Sequence, residues 1–322
     1  MGDAGDALGG RWARHTEGVL AQGVEVDPFR FVAHPDVWLL VAFLIGAYVY
    51  MVRVVGPHAV AVGQPVVTRR QVWCFAGSMA LLWTASDWPL HDVGEQYLYS
   101  AHMLQHMMLS YFLPPLALLA TPEWLLRTLI GSGRAYRVLR WFCHPVVAGV
   151  LFNIAVMVSH IPGVVNASVD SSNPATHYLL HVMVVMTSLL MWMPVCGPFR
   201  ELRLGTGATM IYLFLQSVVP TVPAGWLTFA EGAVYRAYDQ PVRVWGLSIT
   251  ADQQLAGAIM KTGGSIFLWT IIVRLWFTRF SASYRTENGY RRPNAAPLTF
   301  DDVEREFAAA PPAPEPSRPL NG

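Results

Sequence analysis

The sequence predicts an all-α membrane protein: a polytopic chain of seven transmembrane helices, N-terminus outside and C-terminus cytoplasmic. Three observations lead there. Of its 322 residues 53% are hydrophobic and only 13% charged, and the mean hydropathy is +0.36, a composition that a water-soluble core does not need. Seven apolar segments follow one another, at 36–55, 72–90, 98–120, 145–164, 175–195, 207–230 and 254–277, each near the length a helix needs to cross a bilayer. The arginines, lastly, crowd into alternate connections.

Before the first span, residues 1–34 are polar and mixed in charge, an extracytoplasmic N-terminal arm. The start of the chain lacks the charged opening, apolar run and small-residue cleavage site of a signal peptide, so the first apolar segment is expected to stay in the mature protein. Pro57, Pro145, Pro174 and the pair Gly197–Pro198 mark span ends, with Asn173 and Pro174 reading as the cap and first turn of the fifth. Pro114 with Pro115, and Pro220 with Pro223, should kink the third and sixth. The membrane domain is 35–280; residues 281–322 form a cytoplasmic, largely disordered tail ending in a Pro/Ala-rich run.

Orientation follows from charge. The first connection carries Arg53, Arg69 and Arg70, the third Arg127, Arg134, Arg137 and Arg140, the fifth Arg200 and Arg203, and the tail Arg279, Arg285, Arg291 and Arg292. The second and fourth hold no Lys or Arg, their charged residues being Asp92, Glu95 and Asp170, and Arg236 and Arg243 of the sixth weaken the asymmetry without reversing it. Positively charged loops stay inside, so the odd connections are cytoplasmic. A net charge of +1 and the lack of a basic cluster or Gly-rich phosphate loop exclude a nucleic-acid partner.

That topology gathers histidines in one leaflet. His102 and His106 sit four apart in the third span, which carries no Asp, Glu, Lys or Arg from Leu98 to Ala120. An i, i+4 pair shares a helix face with Cβ atoms about 6 Å apart, within reach of one metal ion. By the helical rise His106 lies only about 12 Å below the outer end. His177 and His181 repeat the spacing at the outer start of the fifth span, His160 lies near the outer end of the fourth, and His91 follows the second beside Asp87 and Asp92. A lone histidine in a span more often bonds between helices or sits at the wet interface. Two matched pairs shift the balance towards a metal site. Met103, Met107, Met108, Met183 and Met186 lie close in sequence, and soft thioethers beside imidazoles suit copper, although methionine is also ordinary core filler. Cys74, Cys143 and Cys196 fall at cytoplasmic span ends, away from that leaflet. Lys261, the single lysine against 21 arginines, lies in the seventh span; it is expected to snorkel to the outer interface or meet Asp87 or Glu95. A retinal Schiff base there is disfavoured, because the third span has no carboxylate counter-ion.

The segments AHMLQHMMLSYFLPPLALLATP, HPVVAGVLFNIAVMVSHIPG, HYLLHVMVVMTSLLMWMPVCGP and DQQLAGAIM occur in that order. Together they resemble the membrane-embedded CtaG family, assembly factors for caa-type cytochrome c oxidases of bacteria, over about residues 70–280. The resemblance implies a multi-pass protein of the bacterial plasma membrane that serves cytochrome c oxidase subunits by handling their copper. The family's histidines fall on His102, His106, His160, His177 and His181, and Asp252 and Gln253 match its motif at the start of the seventh span. Val158 and Ser159 stand where bulkier aromatic residues are the pattern, and Lys261 where an apolar or aromatic residue is common.

The expectation is therefore a non-enzymatic assembly factor that binds copper through His102, His106, His160, His177 and His181 on the extracytoplasmic side and aids metallation of an oxidase subunit. Asp87 and Asp252 are candidate orienting groups, and His91, Lys261, Met103 and Met107 candidate accessory residues. Two other readings stay open: a b-type haem redox protein, with histidines of two helices ligating the iron, and a metal-free assembly chaperone.

Overall fold

A computed structural model of the protein describes residues 27–169, 174–239, 243–290 and 299–309. Asp170, Asn173, Arg291, Arg292, most of the N-terminal arm and the Pro/Ala-rich run lie outside the described residues. All regular structure within them is helical.

In chain order, α1 (Pro35–Ala59) opens on a proline, whose missing amide costs nothing in a first turn. α2 (Arg69–Ser86) begins with a capping box in which Thr68 and Gln71 satisfy each other's backbone amides. A short α3 (Leu90–Gln96) leads into α4 (Tyr99–Ala120). The amphipathic helices α5 (Glu123–Ile130) and α6 (Arg134–Phe142) connect it to α7 (Pro145–Ser159). After the short α8 (Pro162–Ser168) come α9 (Pro174–Cys196), α10 (Thr206–Thr228) and α11 (Ile249–Tyr284), then α12 (Phe300–Ala309).

Among the described residues, five helices are long and apolar enough to cross a membrane, α1, α4, α9, α10 and α11, or six if α6 and α7, bent by 66°, make one broken span. The expected second span coincides with α2, whose opening Arg-Arg-Gln lowers its hydropathy, and the expected fourth with α7, only 15 residues long. Large apolar side chains, among them Leu39, Phe43, Trp73, Leu179, Ile211 and Leu215, face outward, as lipid requires and water does not.

The chain divides into two compact units after Val273. In the later unit Trp276, Phe280 and Tyr284 stack along one helix face, and the Thr299 hydroxyl donates to Asp302 at the start of α12. The earlier unit is built round α4: 61% of its apolar window is buried inside the protein, against 39% or less for the other four. α3 and the start of α11 pack on its first half, α2 and α9 on its second.

The expected kinks appear as interruptions. Pro114 has no amide to offer Ser110, four residues back; a π turn, Met108–Phe112, forms there, and the freed Ser110 carbonyl accepts the Trp192 indole N–H at 3.1 Å. This ties α4 to α9 just below the histidines. Pro220 and Pro223 likewise divide α10 into Thr206–Val218 and Thr221–Thr228.

Candidate metal centre

What positions the site is the start of α11. The Asp252 carboxylate is fully buried and accepts from the Tyr99 and Ser100 amides at 2.9 and 3.0 Å and from the Ser100 hydroxyl at 2.6 Å. It thus caps α4, satisfying first-turn amides with a charge that favours the positive end of the helix. The next two side chains hold the preceding loop: Gln253 accepts from the Val234 and Tyr235 amides and donates to the Tyr235 carbonyl, and Gln254 donates to the Ala230 carbonyl. The DQQ segment is a clamp on the backbone rather than a set of ligands, and Asp252 acts on the histidines by fixing the helix that carries them.

On α4 so held, His102 and His106 present their rings 4.4 Å apart, and His181 of α9 faces both, 5.6 Å from the first and 4.9 Å from the second. One ring nitrogen from each lies within 4.8 Å of the others. Two nitrogens about 2.0–2.1 Å from one ion can stand no more than roughly 4 Å apart, so the widest pair needs to close by under an ångström. The buried atoms His102 Nδ1, His106 Nε2 and His181 Nε2 have no hydrogen-bond partner. A buried polar atom left unpaired costs about 1–3 kcal/mol, and a cation held among the three rings would offset that cost.

His160, at the end of α7, lies beside His106 at 6.4 Å. Its Nδ1 donates to the Val156 carbonyl at 2.7 Å, and its Nε2 is buried without a partner. The Tyr235 hydroxyl donates to the His160 carbonyl.

His177 lies one turn above His181 on α9 with rings 4.4 Å apart, but its Nε2 meets Glu95 Oε1 of α3 at 2.5 Å. Glu95 Oε2 stands 3.5 Å from His91 Nε2. His91, Glu95 and His177 make a second group of ligand atoms within 4.8 Å of one another. Burial pushes the Glu95 carboxyl up, but the hydrogen bond from His177 and the nearby imidazoles outweigh it and hold it below its ordinary range. Burial holds the His91 imidazole below its ordinary value, against the opposing pull of Glu95. Gly94 makes the approach of α3 possible, since a Cβ there would stand 2.9 Å from the His102 amide nitrogen.

The remaining residues singled out from the sequence play other parts. Asp87 accepts the Trp38 indole N–H at 2.9 Å, joining the ends of α1 and α2. Met103 and Met107 are buried in the main apolar cluster with Tyr99, Trp192 and Tyr235. Lys261, expected to snorkel to the outer interface or to meet Asp87 or Glu95, is exposed and donates to the Thr221 hydroxyl of α10.

Glu95 and Gln105 were not singled out as ligands or supports from the sequence. Glu95 carried a signal, the same i, i+4 spacing from His91 as within the two histidine pairs. Gln105, whose amide lies 3.1 Å from His91 Nδ1, had none; its partner is on another helix. His34, placed outside but given no role, pairs with Asp92 at 3.1 Å and packs edge-on to His91.

No curated protein and no solved structure matches the chain. The family model of the cytochrome c oxidase caa3 assembly factor matches residues 46–281, a stretch that contains both histidine groups, the Asp252 clamp and every helix from the end of α1 to most of α11. By that match the chain belongs to the cytochrome c oxidase caa3 assembly factor family.

Proposed function

We propose that the protein takes copper as cargo at the outer-leaflet histidines and passes it to a subunit of the oxidase, without itself catalysing a reaction. The observation that carries this reading is the convergence of His102, His106 and His181, whose buried ring nitrogens have no hydrogen-bond partner. All three donors are neutral imidazoles and no carboxylate enters the triad, which favours a soft, singly charged cuprous ion over a hard divalent one. An ion of low charge also loses less hydration on entering a buried site. His160 flanks the triad 6.4 Å from His106, while His177 is turned to Glu95.

Transfer needs a site that holds its cargo without closing round it, and three donors leave a position for an incoming ligand from the oxidase. In this reading α2 and the α6–α7 pair complete seven spans in the bacterial plasma membrane, the N-terminus lies outside, and the histidines lie near the extracytoplasmic face.

Metal analysis of the purified protein tests it. Wild type should bind cuprous ion at about one equivalent, and His102→Ala with His181→Ala should abolish that binding while oxidase maturation fails and the protein stays inserted and abundant. Copper held equally well by the double variant would remove the reading. Maturation that survives in a folded variant without copper would leave a metal-free chaperone, and a Soret band lost with the same substitutions would point to haem.

A further inference from the structure

We infer that His91, Glu95 and His177 form a second metal site, distinct from the imidazole triad, that takes a divalent transition ion through two nitrogens and a carboxylate.

The donor set differs in kind from the triad. Two imidazoles with one carboxylate is a set that binds divalent ions such as Zn2+ and Cu2+, and the negative charge of Glu95 offsets one of the two positive charges brought in. Asp92, next to His91 and paired with His34, lies close by with a second. The ligand atoms already face one another, with Glu95 oxygens at 2.5 Å from His177 Nε2 and 3.5 Å from His91 Nε2. In the metal-free protein both contacts stand at ion-pair distance, and an ion would sit between the same atoms in place of ring protons.

The second observation is Gln105. Its amide nitrogen lies 3.1 Å from His91 Nδ1, while its Oε1 is buried and has no partner. Turning the amide over brings Oε1 to accept from an Nδ1–H, which moves the ring proton away from Nε2 and frees that lone pair for the ion. A partner fixing the distal nitrogen in this way is what metal-bound histidines generally have. Gln105 lies on α4 between His102 and His106, yet it serves the other group.

Access also separates the two. The His91 and His177 side chains are nearly buried, but the Glu95 side chain is 32% exposed. His91 and Glu95 are carried by α3, which packs at Gly94 on the His102 backbone and whose Gly94 carbonyl accepts from the Tyr238 hydroxyl, contacts that do not use the triad's imidazole nitrogens.

The test uses the full-length protein in lipid nanodiscs with Zn2+ and, separately, Cu2+. In a His102→Ala, His106→Ala background, where the triad is gone, one Zn2+ should still bind, and Cu2+ should give an electron paramagnetic resonance signal with two-nitrogen coupling. Adding Glu95→Gln should weaken Zn2+ at least tenfold, and Gln105→Leu by about 10- to 100-fold, each with an unchanged thermal melt in the absence of metal. Zn2+ affinity indifferent to Glu95→Gln in a folded protein, or divalent binding lost with the triad alone, would overturn the inference. Wild type that binds no cuprous ion while Zn2+ follows Glu95 would end the copper proposal and leave this site standing.

Discussion

The Asp252 carboxylate accepts both the backbone amide and the hydroxyl of Ser100, 152 residues earlier in the chain. This contact decides where α4 begins and hence where His102, half a turn further on, points. Replacing Asp252 with Ala strips the cap and leaves amides and a hydroxyl buried without a partner. The expected loss is about 2–3 kcal/mol, read as a lowered thermal midpoint, with weaker copper binding although no ligand has been removed. Asn at the same position should recover part of both.

His106 allows ligand and structural roles to be told apart. Its Nε2 is buried without a hydrogen-bond partner, so His106→Leu should not weaken the metal-free protein and is expected to stabilise it by about 1 kcal/mol. The same change should remove most copper binding. A fall in metal-free stability would mean that the ring makes a structural bond.

Two glycines sit at close helix contacts with different neighbours. At Gly94 a Cβ would strike the His102 backbone, and at Gly257 it would stand 2.6–2.8 Å from Thr228 and the Ala224 carbonyl. Alanine at either site should destabilise by about 1–3 kcal/mol. Only Gly94→Ala should also weaken Zn2+ binding, because it alone displaces α3.

Lys261 bonds to Thr221 and is itself exposed. Its charge should therefore bear little on the histidines: Lys261→Met is expected to leave copper affinity within about threefold, measured by competition with a chromophoric chelator. A larger gain would show that the lysine opposes the cation.

The sequence carried the parts of this site that lie along a single helix. The spacing of His102 with His106 and of His177 with His181 can be read directly, because four residues return to the same face. The interruptions at Pro114 and Pro220 could be read too, since a missing amide has a local effect. What spacing could not carry was partner choice. His177 turned from the triad towards Glu95 because α3 comes within reach at Gly94, and Asp252 turned to the α4 backbone because helices far apart in sequence meet there. Span number was blurred for a physical reason as well: α2 opens on arginines and α7 is short, so neither resembles an isolated apolar helix although both pack into the bundle.

The π turn at Met108–Phe112 sets the angular phase of α4. It introduces one extra residue between the half that carries the imidazoles and the half anchored through Pro114. The wide turn absorbs that residue, so deleting one there, for instance Leu109, would restore α-helical winding with the two halves still in phase, whereas deleting one from the regular turn beside it would swing His102 and His106 by about 100° relative to the anchored half. A chain shortened in that regular turn could keep every ligand and every helix, yet turn its histidines away from His181.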